Sequence, residues 1–135
     1  MNKRGFTIIE LLVVVTIIGL LSSIVIASLT TVRIRARDTR RMEDISTLQK
    51  ALTLYATNGA FPVQTTEGPL LSGSGAGAAL IAEGALPAIP QDPLSPTYEY
   101  EYVTNASGGT YTITFCLETN TIPNYSQGCT NQVSP

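Results

Sequence analysis

Residues Gly5 to Leu29 read G-F-T-I-I-E-L-L-V-V-V-T-I-I-G-L-L-S-S-I-V-I-A-S-L, and this stretch decides how the 135-residue chain is organised. From Phe6 it is apolar for two dozen residues, about 36 Å as an α-helix, enough to cross a bilayer core of roughly 30 Å. Glu10 is its single charged residue. A carboxylate at that depth costs roughly 2.5–3.5 kcal/mol on insertion scales, so it must neutralise or find a cation. Cleavage after Gly5 would create one, an α-amino group about one helical turn from Glu10.

Three readings fit the segment. An ordinary secretory signal has an apolar region of about 7–15 residues and small residues before its cut site; Ala27-Ser28 offers such a site, but the run is too long and contains a charge. An uncleaved single-pass anchor has the right length, yet leaves unexplained a Gly-Phe-Thr start directly after the basic pair Lys3-Arg4. The third rests on the whole order of basic pair, glycine, phenylalanine, threonine, two aliphatics and glutamate, which closely resembles the class III signal of type IV prepilins and type II secretion pseudopilins.

That resemblance implies cleavage by a prepilin peptidase between Gly5 and Phe6 and N-methylation of Phe6 by the same enzyme. It also gives Glu10, with Thr7 beside it, a role in assembly, where Glu10 pairs with the Phe6 amine of an adjacent subunit. The implied parts are a leader over 1–5, a transmembrane and filament-core helix over 6–29, its amphipathic continuation over 30–58, and a small head over 59–135. The implied partners are copies of the same chain in a helical filament, the peptidase, an inner-membrane assembly platform and the membrane. A precursor in the inner membrane, amino terminus inside, would then yield an extracellular filament.

Composition supports one small head and no second core. All eight Lys and Arg lie within the first 50 residues against four acids, whereas residues 51–135 hold six acids and no base. A head without cations has nothing to offer phosphates, so no nucleic acid is expected there. Arg33, Arg35, Arg37, Arg40 and Arg41 interleave with Asp38, Glu43 and Asp44. Helical spacing pairs Arg40 with Glu43 or Asp44, and Asp38 with Arg41, as a solvated, self-paired face; the alternative is a basic band that meets the acidic heads of neighbours. By Lys and Arg count the Arg33 end would be cytoplasmic. The family's opposite orientation is preferred, because acids interleave there and the two cysteines call for an oxidising side.

The helix should continue past Leu29, since residues 30–57 contain no Pro or Gly and Met42, Ile45, Leu48, Leu52 and Tyr55 form one apolar stripe. Asn58-Gly59 should end it. Y-A-T-N-G-A-F-P over Tyr55 to Pro62 and P-Q-D-P before Tyr98-Glu99-Tyr100 again resemble pseudopilins. Many pilins have a proline where this chain has Ala27, so with Gly19 alone the anchor should stay helical in a filament. Residues 63–78 read as a loop and Ala76–Ala85 as a short helix burying Leu80 and Ile81. The four prolines between Leu86 and Pro96 demand an extended or turning connection.

Thr97–Val103 and Thr110–Glu118 alternate as strands around the turn Asn105–Gly109. Tyr98, Tyr100 and Tyr102 then share a face with Tyr111, Ile113, Phe115 and Leu117, packed on the Ile45–Tyr55 stripe. Asn105-Ala106-Ser107 fits a glycosylation acceptor as well as a turn. The expected fold is therefore α+β, a long N-terminal helix against a small antiparallel sheet, type IV pilin-like.

Cys116 and Cys129, with twelve residues between them, are expected to form a disulfide closing the C-terminal loop, with two buried free thiols as the alternative. Such a loop resembles that of type IV pilins. Major pseudopilins often carry a calcium-binding acidic loop there, but residues 119–135 contain no Asp or Glu, so no metal or other cofactor is expected. With no His and only Glu99 and Glu101 as neighbouring acids on an exposed face, catalysis is not expected either. The functional expectation is a type IV pilus subunit for adhesion, motility or surface contact. A pseudopilin of a secretion or DNA-uptake machine, or a single-pass anchored binding domain, are the alternatives.

Overall fold

Helix α1, Ile8–Tyr55, runs through Gly19 and Ala27 without a break. The computed structural model describes residues 5–135, so Met1 to Arg4, most of the expected leader, lie outside the described residues. Hydroxyls that water would otherwise satisfy are tied to the helix itself: Thr16 donates to the Val13 carbonyl, Ser22 to Ile18 and Ser23 to Leu20, at 2.7–2.8 Å. Back-bonding of this kind keeps small polar residues compatible with an apolar surrounding. The helix closes through a 3₁₀ turn, Ala56–Asn58, and Gly59 at φ 116°, a left-handed position that glycine occupies without a Cβ penalty.

The chain divides into two units, one up to Ile34 and one over Arg35–Pro135. In the first, the side chains described from Phe6 to Leu29 are all exposed, and its 18-residue hydropathy maximum averages 2.7. In the second, the α1 stripe of Ile45, Leu48 and Leu52 is fully buried in a cluster with Tyr100, Tyr102, Tyr111, Ile113, Phe115 and Leu117. Met42 and Tyr55 pack at its margin. Tyr100 and Tyr102 are core with satisfied hydroxyls: Tyr102 donates to the Pro62 carbonyl at 2.9 Å and Tyr100 to Asp44 at 2.8 Å. Tyr98, expected on the same core face, instead lies half-buried in a bend ahead of the strand and outside the cluster.

The sheet has four antiparallel strands in sequence order: β1 (Gly68–Pro69), β2 (Glu101–Thr104), β3 (Tyr111–Leu117) and β4 (Gly128–Val133). The expected hairpin is present as β2–β3, with Tyr102 opposite Ile113. The first strand is shorter than expected, because Thr97 lies in a turn after the proline-rich segment and ladder pairing begins only at Glu101. Two strands were not anticipated. β1 is two residues long, and β4 at the sheet edge buries only Asn131, so neither carries an apolar alternation. Helix α2, Gly75–Ala82, buries Leu80 fully and Ile81 partly.

Between Phe115↔Asn131 and Leu117↔Gly128 the register shifts, so that Cys116 faces both Cys129 and Thr130. This is a β-bulge, and the Cys116–Cys129 disulfide sits in it, Cα atoms 3.9 Å apart. The loop it closes is held from inside by Asn131, whose amide donates to the Ser126 and Gly128 carbonyls and whose oxygen accepts from the Ser126 N–H.

Candidate functional site

At the amino end Thr7 caps α1. Its Oγ1 accepts the Glu10 N–H at 3.3 Å, while Glu10 Oε2 accepts the Thr7 N–H at 2.9 Å and the Thr7 hydroxyl at 2.6 Å. This is a reciprocal capping box, in which a threonine and a glutamate three residues on satisfy donors that a helix start leaves open. Both bonds to Glu10 fall on one carboxylate oxygen; Oε1 meets no donor among the described residues. Gly5 and Phe6 lie ahead of the helix, exposed, with nothing within 4 Å of where a Cβ on Gly5 would stand. Phe6, Ile9, Val13 and Val14 line an open apolar hollow of about 350 Å³ around Glu10. The arrangement offers an uncovered peptide bond, a half-used carboxylate and an apolar surface that water does not solvate.

The second cluster lies within the head unit. Arg41, side chain fully buried, donates through Nε and Nη2 to both oxygens of Asp92 at 2.6 and 3.0 Å. Its Nη1 donates to Asp38 and Glu118, each at 2.8 Å. Arg37 forks onto Glu118 from the helical turn before. Asp38 in turn accepts the N–H groups of Glu118 and Thr119 at 2.9 Å, and Asp92 accepts that of Leu94 at 2.8 Å. Tyr98 covers the guanidinium at 5.3 Å. Among the described residues no buried side-chain polar atom is left unsatisfied, the condition under which a buried ion cluster is tolerable.

The electrostatics follow from these contacts. Burial works to lower the Arg41 pKa, but bonds from Asp92, Glu118 and Asp38 outweigh it and raise it. Glu118 is pushed down to about 2, mainly by the hydrogen bond from Arg37, with Arg41 adding to it against partial burial. Burial raises Asp44, and the Tyr100 hydroxyl partly offsets the rise.

Residues 1–26 match the model of the prokaryotic N-terminal methylation motif. The chain is 34% identical over 67 residues to type II secretion system core protein G of Escherichia coli (strain K12), a match covering 50% of this chain and 46% of that protein. It is 37% identical over 67 residues to the protein of the same name from Klebsiella michiganensis, 49% of this chain and 46% of the relative. For that of Pectobacterium carotovorum subsp. carotovorum the figure is 36% over 62 residues, 45% and 40%. Motif and similarity together support a resemblance to the type IV pilins and pseudopilins. Its matches span less than half the length of each of these relatives. No solved structure matches.

Within this pilin-like chain the structure brings Thr7 and Glu10 together, places Gly5 and Phe6 beside them, and joins Cys116 to Cys129. One expectation about the helix is overturned. The Asp38–Arg41 pair is buried rather than solvated, because Asp92 and Glu118 complete its coordination from segments 51 and 77 residues away. Arg40 is exposed and makes no salt bridge to Glu43 or Asp44. The capping box was open to a sequence reading, since T-I-I-E carries the Thr-x-x-Glu signal ahead of an apolar run. The ion cluster was not, because nothing local in the P-Q-D-P segment marks Asp92 as a partner of the helix.

Proposed function

We propose that the chain is a structural subunit of a type II secretion pseudopilus, processed between Gly5 and Phe6, methylated on Phe6 and assembled with copies of itself through the 6–29 helix. The identity of 34–37% with core protein G carries this reading. The exposed apolar helix supports it, since such a surface requires lipid or neighbouring helices around it. In the precursor the amino terminus stays inside and the head outside. On processing, the half-used Glu10 carboxylate takes the Phe6 amine of a neighbour while Thr7 keeps it turned toward the helix start. The role is structural and not enzymatic.

A type IV pilus is the second reading. It is favoured by the disulfide-closed C-terminal loop and by the lack of any acid over residues 119–135, where an acidic loop would otherwise stand.

Mass spectrometry of the protein from native membranes and from material sheared off the cell surface tests both. A chain beginning at Phe6 with one added methyl group is expected; one still beginning at Met1 would overturn processing and assembly together. Deletion of the gene separates the two readings. Loss of protein export with unchanged surface filaments supports the pseudopilus, and loss of surface filaments with normal export supports the pilus.

A further inference from the structure

The head unit has two layers whose outer sides carry opposite charge. α1 turns Ile45, Leu48 and Leu52 inward, so its other side faces solvent and holds Arg35, Arg40 and Lys50, all exposed. Arg37 and Arg41 are consumed by Glu118, Asp38 and Asp92, and these three exposed cations have no carboxylate within 4 Å among the described residues. Glu43 is the one acid exposed between them. On the sheet, Tyr102 and Ile113 point inward, so Glu101 and Thr114, directly opposite each other on β2 and β3, point outward. Glu67 accepts the Thr114 hydroxyl at 2.9 Å, and Glu99 lies beside Glu101 along a hollow of about 210 Å³. These carboxylates have no cationic partner among the described residues, and residues 51–135 contain no base that could supply one.

Neither side can neutralise the other within one chain, because the core lies between them. We propose that the helix side of one head docks on the outer sheet face of a second copy, with Arg40 and Lys50 set against Glu67 and Glu101. The contact is heterologous: each copy offers a different surface to each neighbour. A contact of that kind does not close on itself unless the rotation happens to, and it propagates as a helical array. Electrostatic complementarity at such a rim sets register and encounter rate more than affinity, which suits an interface secondary to the apolar helices.

The inference rests on the self-assembly reading above, and charge reversal in the purified full-length chain tests it separately. In detergent micelles at low salt, association is measured by sedimentation for the wild type, a helix variant (Arg40→Glu with Lys50→Glu), a sheet variant (Glu67→Lys with Glu101→Lys) and the fourfold combination. Each double variant is expected to weaken association about tenfold. The combination, and an equimolar mixture of the two double variants, should recover to within about threefold of wild type. Normal association of either double variant, absence of recovery in both the combination and the mixture, or no association of the wild type would overturn the head-to-head contact. Thermal unfolding and an intact disulfide in each variant exclude misfolding as the cause of a loss. Should the rescue succeed while cells contain only unprocessed, unassembled chain, the pseudopilus reading fails and the contact stands.

Discussion

The two halves of α1 invert the usual relation between polarity and burial. From Ile8 to Leu29 it is almost purely apolar and exposed, with Ile8 at 85% and Ile24 at 62% of full accessibility. From Arg35 to Tyr55 it is rich in charge, yet Asp38 and Arg41 are at 0%. Each half is matched to its own surroundings. The first needs a partner that the single chain does not contain, whether lipid or other helices; the second finds carboxylates and strand ends that the same chain folds back onto it. Hydropathy therefore reports the eventual medium of a residue and not its exposure in the isolated subunit.

The sharpest way to break this contrast is Arg41→Met. It leaves Asp38, Asp92 and Glu118 facing one another around a buried gap, and removal of one partner from a buried ion cluster costs about 3–5 kcal/mol. Urea unfolding of the full-length chain in detergent, followed by tyrosine fluorescence, should show that loss in the head; a change below about 1 kcal/mol would mean the cluster is peripheral. Replacing both cysteines by serine comes next, with an expected cost of about 3 kcal/mol from the freed loop. An unchanged midpoint would show that Asn131 and the Asp38 bonds hold the loop unaided.

Acid titration gives a smaller effect with a definite sign. Glu118 has its pKa lowered from 4.5 to about 2, so the stability it confers is fully present above about pH 4.5 and is lost as pH falls through 2. With solvent screening of its exposed side counted, the loss is about 1–2 kcal/mol. Glu118→Gln should flatten the acid limb of the unfolding midpoint against pH; an unaltered limb would assign the acid sensitivity elsewhere. Glu10→Ala sharpens the contrast from the other half. The head midpoint should stay within about 0.5 kcal/mol while incorporation into filaments falls at least tenfold, and a coupled loss of head stability would show the two halves to be energetically linked.

The elements readable in the sequence were those whose signal is local. Gly59 marked the helix end, the stripe from Met42 to Tyr55 marked the buried face, and Tyr111 to Leu117 marked the central strand. β4 escaped because an edge strand with one buried residue, Asn131, has no periodicity to detect. The Asp38–Arg41 pair was visible as a spacing, but i,i+3 geometry is the same in water and in a core. Its burial depends on Asp92 and Glu118, which meet it only through the tertiary fold. At the amino end the box of Thr7 and Glu10 is local as well, a Thr-x-x-Glu spacing directly ahead of an apolar run.

The Arg37–Arg41 cluster has a mechanical consequence. Within the unit Arg35–Pro135, a pull along the axis of α1 first meets the forks to Glu118 and Asp92. These link the helix to the end of β3 and to the proline-rich segment, and a pull along the helix axis loads several of them in parallel. Such a clamp would carry shear before the oily stripe farther along begins to slide.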